Sequence, residues 1–222
     1  MLGLISYLQA RNQRRAINQG SSASNPLSLR MSDTKLRRLC PSLYCLSGPL
    51  GFLRCSLGDG WGRRFFIRDM LVHGDSRAAV VVSLSPLLVA CYCDDLDGVC
   101  VLQFCDDLAA EHGLGRGDHL LTVLNSTSIL RRRAQHNEIA ADLVQGIYAN
   151  PYYVNFWPLV AEFLSDDMDV IAARKERISK EEYARCRSLG DEHIRRFQGA
   201  ARDGRPDRSM WPLKNSQVPR SW

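Results

Sequence analysis

The side chains best suited to chemistry lie in one polar segment, residues 63–77. The four candidate catalytic residues in it are Arg68, Asp69, His73 and Asp75. Three further arginines of the segment are candidates for ligand binding: Arg63, Arg64 and Arg77. A histidine beside carboxylates can transfer protons in acid–base catalysis, and arginines bind phosphate groups through paired hydrogen bonds. The alternative interpretation is a salt-bridged segment that crosses the edge of a sheet and has no catalytic role.

A second set of candidate ligand-binding residues is the acidic run Asp94, Asp95 and Asp97. Its first part reads Tyr92-Cys93-Asp94-Asp95, which resembles the catalytic turn of reverse transcriptases, where paired carboxylates hold Mg²⁺. That resemblance implies a third carboxylate upstream, but the roughly 90 preceding residues are interrupted by Gly and Pro. We therefore interpret the run as the solvated acidic loop of a β-hairpin.

The cysteines give no clear metal pattern. Four of the eight stand in the two halves of this hairpin: Cys91, Cys93, Cys100 and Cys105. Their spacing is not the Cys-x2-Cys of structural zinc sites. If residues 94–98 form the loop, Cys93 faces Val99 across the hairpin, so Cys91 and Cys93 point to one face and Cys100 to the other. The acidic run also lacks the closing Glu of a calcium-binding EF-hand. We predict no metal site, no cofactor and reduced thiols in a cytosolic protein.

A glycine-rich stretch suggests another class of function. It reads His112-Gly113-Leu114-Gly115-Arg116-Gly117-Asp118-His119 and resembles the helix, turn and strand step of AbrB-type transcription factors. The resemblance implies DNA binding, but the rest of that module is not evident in this chain. Residues 39–198 carry 17 basic and 21 acidic side chains, and this acidic balance disfavours binding of nucleic acid through them.

The net charge of +5 is carried by the two ends of the chain. We predict a basic flexible N-terminal extension at 1–38, a single domain at 39–198 and a basic flexible tail at 199–222. An acidic partner could contact these basic ends. Residues 1–30 contain four arginines and no acid, which is typical of a transit peptide. The alternatives are a frayed helix around Leu4, Ile5 and Leu8 with a linker at 20–26, and a native start at Met31. No apolar stretch reaches the length of a membrane span.

The elements that must position these side chains indicate an α+β fold. Two apolar, β-rich runs around the acidic loop predict a central hairpin at 87–105, in a small, mainly antiparallel sheet packed by C-terminal helices. The strand runs are nearly continuous, which predicts burial of both faces of the sheet. We predict helices near 137–145 and over 156–164. Two more follow, one closed by Arg174, Lys175 and Arg177 and one capped by Ser179.

The chain also resembles a group of uncharacterised bacterial proteins of planctomycete type. The resemblance rests on residues 62–83 and extends through Tyr153-Val154-Asn155-Phe156 to Arg202-Asp203-Gly204-Arg205-Pro206. It implies no activity and favours the start at Met31. Our first hypothesis for the function is a non-enzymatic binding or interaction domain. The alternative is a small hydrolase or transferase built on the four candidate catalytic residues, which requires those side chains to converge in a pocket.

Overall fold

The computed structural model describes residues 23–44, 60–128 and 139–214. The helices of these residues are α1 (Asp33–Leu39), α2 (Gly60–His73), α3 (Asp107–Glu111), α4 (Met168–Arg177) and α5 (Lys180–Arg196). The strands are β1 (Asp75–Leu84), β2 (Leu87–Cys93), β3 (Gly98–Phe104), β4 (His119–Ser128), β5 (Val144–Gln145), β6 (Tyr153–Val160) and β7 (Arg202–Asp203). Short 3-10 helices occupy Pro41–Leu43 and Ala161–Phe163. None of the helices in these ranges combines the length and hydropathy that a membrane span requires.

The seven described strands form one sheet. Six of them follow the order β5-β3-β2-β1-β4-β6, and each is antiparallel to its neighbours. The short strand β7 pairs with β3 in parallel, beyond the point where β5 ends. The central hairpin of β2 and β3 and the C-terminal helix α5, which packs across β1, β2 and β3, confirm the predicted α+β class.

The sheet curls until its two edges approach each other. Arg202 of β7 lies on the β3 edge, and its guanidinium donates hydrogen bonds to the Phe156 carbonyl and the Asn155 side chain of β6. Phe104 at the end of β3 packs 4.9 Å, ring centre to ring centre, from Phe163, which follows β6. The curl therefore encloses one side of the sheet and leaves the other for the helices.

Both faces of the sheet are buried, as the continuous apolar runs predicted. The outer core lies between the sheet and the helices and includes Val80, Ala90, Val101, Tyr183 and Cys186. The inner core lies inside the curl and includes Val81, Val89, Cys91, Leu102 and Phe156. Strand β2 shows the consequence most directly, because all seven of its side chains are buried.

The two C-terminal helices begin as the sequence predicted. Helix α4 ends in basic residues, and the Ser179 hydroxyl accepts a hydrogen bond from the Glu182 amide at 3.1 Å at the start of α5. Only half of the expected capping box forms, because the Glu182 carboxylate turns to the sheet and accepts the Ala78 amide at 2.8 Å. That contact fixes the start of α5 on β1.

Two helix predictions were wrong in the residues that the structure describes. Residues 156–164 form most of β6 and a 3-10 helix, because this run pairs along β4 and is buried on both sides by the curl. In the predicted helix 137–145, residues 139–143 are irregular and β5 begins at Val144. Residues 137 and 138 lie outside the described ranges.

The packed structure extends into both ends that were predicted to be flexible. Leu29 and Leu36 in the N-terminal part are fully buried, and Arg202 and Ser209 in the C-terminal part are 1% and 0% exposed. The described segment after α5 packs over the gap between the two sheet edges. This packing explains why its residues Arg202 and Ser209 are buried. Most of residues 1–30 and the last eight residues lie outside the described ranges, so the hypotheses about the start of the chain stay predictions.

Candidate binding site at the acidic loop

The four candidate catalytic residues lie in different surroundings. Arg68 and His73 are exposed on α2, and the His73 imidazole is 3.9 Å from the Asp69 carboxylate one turn earlier. Asp75 is buried at the start of β1 and accepts a hydrogen bond from the Asn25 amide. In the described residues, no hydrogen bond or ion pair joins the α2 side chains to Asp75. The pocket that the hydrolase hypothesis requires is therefore not formed by these residues.

The remaining arginines of the segment are separated in the same way. Arg63 lies 3.6 Å from the Asp207 carboxylate, and Arg64 binds Asp33 of α1 at 2.9 Å. Arg77 reaches the acidic run: its guanidinium binds Asp75 at 2.6 Å and also pairs with Asp94. The structure thus brings Asp75, Arg77 and the acidic run together. The candidate residues on α2 are not part of this group.

Arg77 is surrounded by more carboxylates than it can neutralise. Besides Asp75 and Asp94, Glu182 of α5 approaches it at 3.9 Å. Burial raises the pKa of Asp94; Arg77 opposes that shift, while Asp75 and Asp95 add to it. One cation therefore serves three carboxylates in a region where Arg77 is only 12% exposed.

The acidic loop consists of Asp94, Asp95, Leu96 and Asp97 and is one residue shorter than predicted. Cys93 pairs with Gly98, and Cys91 pairs with Cys100, so the expected pairing of Cys93 with Val99 was wrong. The reason is that Asp97 adopts the left-handed backbone conformation (φ 41°), which leaves Gly98 free to begin β3. The three cysteines consequently face the inner core together.

This corrected register bears on metal binding. Donor atoms of Cys93, Asp94 and Asp95 lie within 4.8 Å of one another. However, Ser126 donates a hydrogen bond to Asp95 at 2.6 Å, Asp94 is paired with Arg77, and burial raises the pKa of the Cys93 thiol far above its usual value. A thiol must lose its proton to bind a metal, so this group of donors carries no metal proposal. The expected absence of a metal and a cofactor stays a prediction.

Asp97 anchors a second loop on the acidic loop. Its carboxylate, 2% exposed, pairs with Arg185 of α5 and accepts hydrogen bonds from the Tyr92 hydroxyl (3.0 Å) and the Tyr148 amide (2.8 Å). Burial raises the pKa of Asp97, but these hydrogen bonds outweigh it and hold that pKa below its usual value. The Asn150 amide binds the Asp95 carbonyl at 3.1 Å. The Tyr148 loop, residues 146–152, is therefore held on Asp97 and Asp95.

The Tyr148 loop carries large apolar side chains that have little protein around them. Ile147 is 84% exposed, Tyr148 74% and Tyr152 61%. The centre of the Tyr148 ring lies 5.3 Å from the Arg185 guanidinium, a distance at which the cation and the aromatic ring attract each other. Exposed aromatic residues grouped beside a charged loop are typical of interaction surfaces.

Carboxylates predominate around the two loops. Five carboxylates lie there with two guanidinium groups: Asp75, Asp94, Asp95, Asp97 and Glu182 with Arg77 and Arg185. Sequence reasoning found Asp75, Arg77 and the acidic loop, but not the Tyr148 loop or Arg185. An aromatic, Pro-containing run outside any apolar periodicity was the signal available for the Tyr148 loop.

No protein-family model matches the chain, and no curated protein and no solved structure shows significant similarity to it. The resemblance to planctomycete-type bacterial proteins therefore stays a prediction. The function has to be argued from the geometry of the site.

Proposed function

We propose that this protein is a non-enzymatic binding domain that recognises a basic, partly apolar polypeptide segment at the acidic and Tyr148 loops. The observation that carries the proposal is the position of Ile147, Tyr148 and Tyr152, which are highly exposed beside a cluster in which carboxylates outnumber guanidinium groups. Apolar and aromatic side chains supply contact area, and the carboxylates select lysine and arginine.

The chemistry available at the two loops supports binding over catalysis. The Ser126 hydroxyl donates to Asp95, and its other described neighbour is the Cys93 thiol at 3.7 Å. An activated serine needs a base that is itself oriented by a third group, and no histidine of the described residues contacts Ser126. The acidic carboxylates are held by Arg77 and Arg185, which suits a fixed electrostatic surface.

Two further observations bear on the class of partner and on the affinity of binding. A cluster in which carboxylates outnumber guanidinium groups repels phosphate groups, so the site disfavours nucleic acid, in line with the expectation from the charge balance of residues 39–198. The hydrogen bond from the Tyr148 backbone amide to Asp97 holds the backbone of the Tyr148 loop in place, so the loop loses little backbone freedom on binding, which favours affinity. An acidic partner of the basic chain ends remains a separate prediction.

Fluorescence anisotropy with the full chain tests the proposal. The probe is a fluorescein-labelled peptide of alternating lysine and leucine, with a matched glutamate and leucine peptide as the charge control. We expect only the lysine peptide to bind, with an affinity that falls as salt is added. Tyr148→Ala should weaken binding about tenfold or more, which is typical of an exposed aromatic anchor in an interface.

Leu84→Ala is the matched control, because Leu84 is 37% exposed at the far end of β1, about 30 Å along the strand from Asp75. This variant should bind the lysine peptide as the parent does. Equal affinity for both peptides, or an unchanged affinity of Tyr148→Ala, would contradict the proposal.

A further inference from the structure

The N-terminal end of the described chain lies beside the acidic cluster. The Asn25 amide donates a hydrogen bond to the Asp75 carboxylate at 2.8 Å, and the Ser76 amide and hydroxyl both donate to the Asn25 carbonyl, at 3.3 and 2.7 Å. Asp75 is bound by Arg77, which also pairs with Asp94 of the acidic loop. Residues 1–22 therefore join the described chain next to the surface proposed above to bind a polypeptide.

Residues 1–22 have the chemistry of the partner proposed for that surface. They contain three arginines and no aspartate or glutamate: Arg11, Arg14 and Arg15. Apolar and aromatic side chains precede the arginines at Leu2, Leu4, Ile5, Tyr7 and Leu8. The segment is thus a basic, partly apolar polypeptide that is covalently attached beside the carboxylates.

The charges at the attachment point favour an added arginine. Three carboxylates surround the Arg77 guanidinium there: Asp75, Asp94 and Glu182. A second guanidinium, that of Arg174, is engaged by the hydroxyl and the carbonyl of Ser76. Carboxylates still outnumber guanidinium groups when Arg174 is counted. Asp94 is the most accessible of the three, because 39% of its side chain is exposed against 11% for Asp75 and 19% for Glu182.

The segment is long enough to reach both loops. Arg15 stands eight residues before Ala23, the first described residue, and a chain of that length spans up to about 26–29 Å when extended. Asp75 and Asp94 bind the same guanidinium, and Asp97, which holds the Tyr148 amide, is three residues beyond Asp94. The arginines can therefore contact Asp94 while the apolar residues before them lie against the Tyr148 loop.

We propose that residues 1–22 occupy the acidic and Tyr148 loops of their own molecule and compete there with an external partner. This inference rests on the proposed function, because it assigns an internal ligand to the same surface. A tether of this length provides an effective concentration of about 1 mM. A segment with a dissociation constant of about 0.1 mM then fills the surface about nine-tenths of the time and weakens external binding about tenfold.

A second basic run, Arg131-Arg132-Arg133, is the competing occupant and supplies a charge-matched control. It follows β4, whose Ser126 contacts the acidic loop. Its neighbours within residues 129–138 include only two large apolar side chains, Ile129 and Leu130, so it matches the proposed partner less well. A variant of this run removes the same number of positive charges as a variant of the N-terminal arginines.

Fluorescence anisotropy with the lysine and leucine peptide tests the inference on the full chain. The combined variant Arg11→Gln, Arg14→Gln and Arg15→Gln should bind the peptide about tenfold more tightly than the parent, because the internal competitor is weakened. The combined variant Arg131→Gln, Arg132→Gln and Arg133→Gln should bind as the parent does. Since each variant loses three positive charges, a general electrostatic effect on the basic probe would appear equally in both.

A synthetic peptide of residues 1–22 gives a direct second measurement. It should displace the lysine probe from the N-terminal variant, whereas the same peptide with its three arginines replaced by glutamine should not. Failure of the synthetic peptide to displace the probe would overturn the inference.

The remaining outcomes separate this inference from the proposed function. An N-terminal variant that binds as the parent does, with Tyr148→Ala still weakening the binding, would overturn the inference and leave the proposed function in place. Absence of probe binding in the parent and in both variants would contradict the proposed function and the inference with it. A gain equal or larger in the variant of residues 131–133, or a gain seen only at high protein concentration, would assign the surface to another occupant and also overturn the inference.

Discussion

The Arg202 guanidinium and the Asp142 carboxylate form a bidentate ion pair inside the protein. The two contacts measure 2.7 and 2.8 Å, and both side chains are 0% exposed. The pair joins β7 on one edge of the curled sheet to the segment before β5, and Arg202 also binds the Phe156 carbonyl of the opposite edge at 3.1 Å. The closure of the sheet thus depends on one buried cation and its partner.

Removal of one member of this pair should be strongly destabilising. Arg202→Met leaves the Asp142 carboxylate buried without its partner, so we expect the free energy of unfolding to fall by about 3–5 kcal/mol. Urea denaturation followed by circular dichroism measures the loss. Arg205→Gln is the control, since Arg205 is 42% exposed and should change stability by less than about 0.5 kcal/mol.

The double variant Arg202→Met with Asp142→Leu measures how strongly the two charged side chains are coupled. Because it removes both charges together, its loss of stability should be smaller than the sum of the two single losses by about 1 kcal/mol or more. Strict additivity of the two substitutions would show that the guanidinium and the carboxylate are not coupled.

Arg77 should control how the stability near the acidic loop depends on pH. In Arg77→Met the Asp94 carboxylate loses the cation that opposes the effect of burial, so its pKa in the folded state rises further above that in the unfolded chain. The folded state then binds more protons, so the variant regains stability as the pH falls through that raised range. We expect a deficit of about 3 kcal/mol at pH 7 that shrinks at pH 5.

Denaturation of Arg77→Met and the parent at the two pH values measures this difference. Arg116→Met is a suitable control because Arg116 is 65% exposed and lies 3.4 Å from the Asp191 carboxylate, away from the acidic loop. A deficit of Arg77→Met that is equal at pH 5 and pH 7 would show that Arg77 acts by packing alone.

The parts of the fold that sequence reasoning found are those with local signals. The hairpin of β2 and β3 was evident from two β-rich runs around Asp and Gly, and the start of α5 from Ser179. The edge strand β6 was mistaken for a helix because its run is apolar on both sides, as in a buried helix. Pro158 was the signal against a helix, since proline is tolerated in edge strands and disrupts a helix interior.

The candidate site was harder to predict because its contacts span large distances along the chain. Asp97 meets Arg185 across 88 residues, and Asn25 meets Asp75 across 50. Sequence reasoning ranked residues by neighbours in the chain, so it grouped His73 with Asp75. A single loop conformation, the left-handed Asp97, was enough to shift the expected register of the cysteines by one residue.

Gly190 permits the close approach of α5 to the sheet. A Cβ atom at this position would lie 2.6 Å from the Ala90 Cβ of β2 and 3.1 Å from a Val82 methyl group of β1. In Gly190→Ala the helix gains about 1 kcal/mol of intrinsic propensity, but overpacking costs about 1–3 kcal/mol. Because the Ala90 Cβ is attached directly to the backbone and cannot rotate away, we expect a net loss of about 1–2 kcal/mol.

Thermal or urea unfolding of Gly190→Ala measures this balance. Ser188→Ala, on the exposed side of the same helix, isolates the effect of propensity and should be neutral or slightly stabilising. If Gly190→Ala is as stable as Ser188→Ala, the sheet moves at Ala90 to make room for the added methyl group, and the expected loss of stability is wrong.

His193 should make the protein less stable in mild acid. The imidazole is 1% exposed on the buried side of α5, and burial lowers its pKa from 6.5 to about 4. Between those values the unfolded chain binds a proton that the folded chain does not, so stability falls as the pH drops from 6.5 to 4 and the loss is complete below 4. A shift of this size corresponds to about 3 kcal/mol.

In His193→Leu this part of the pH dependence should disappear, whereas His73→Gln, on an exposed histidine, should retain it. Urea denaturation of the three proteins between pH 4 and 7 measures the slopes, and a parent-like slope in His193→Leu would assign the acid sensitivity to other groups.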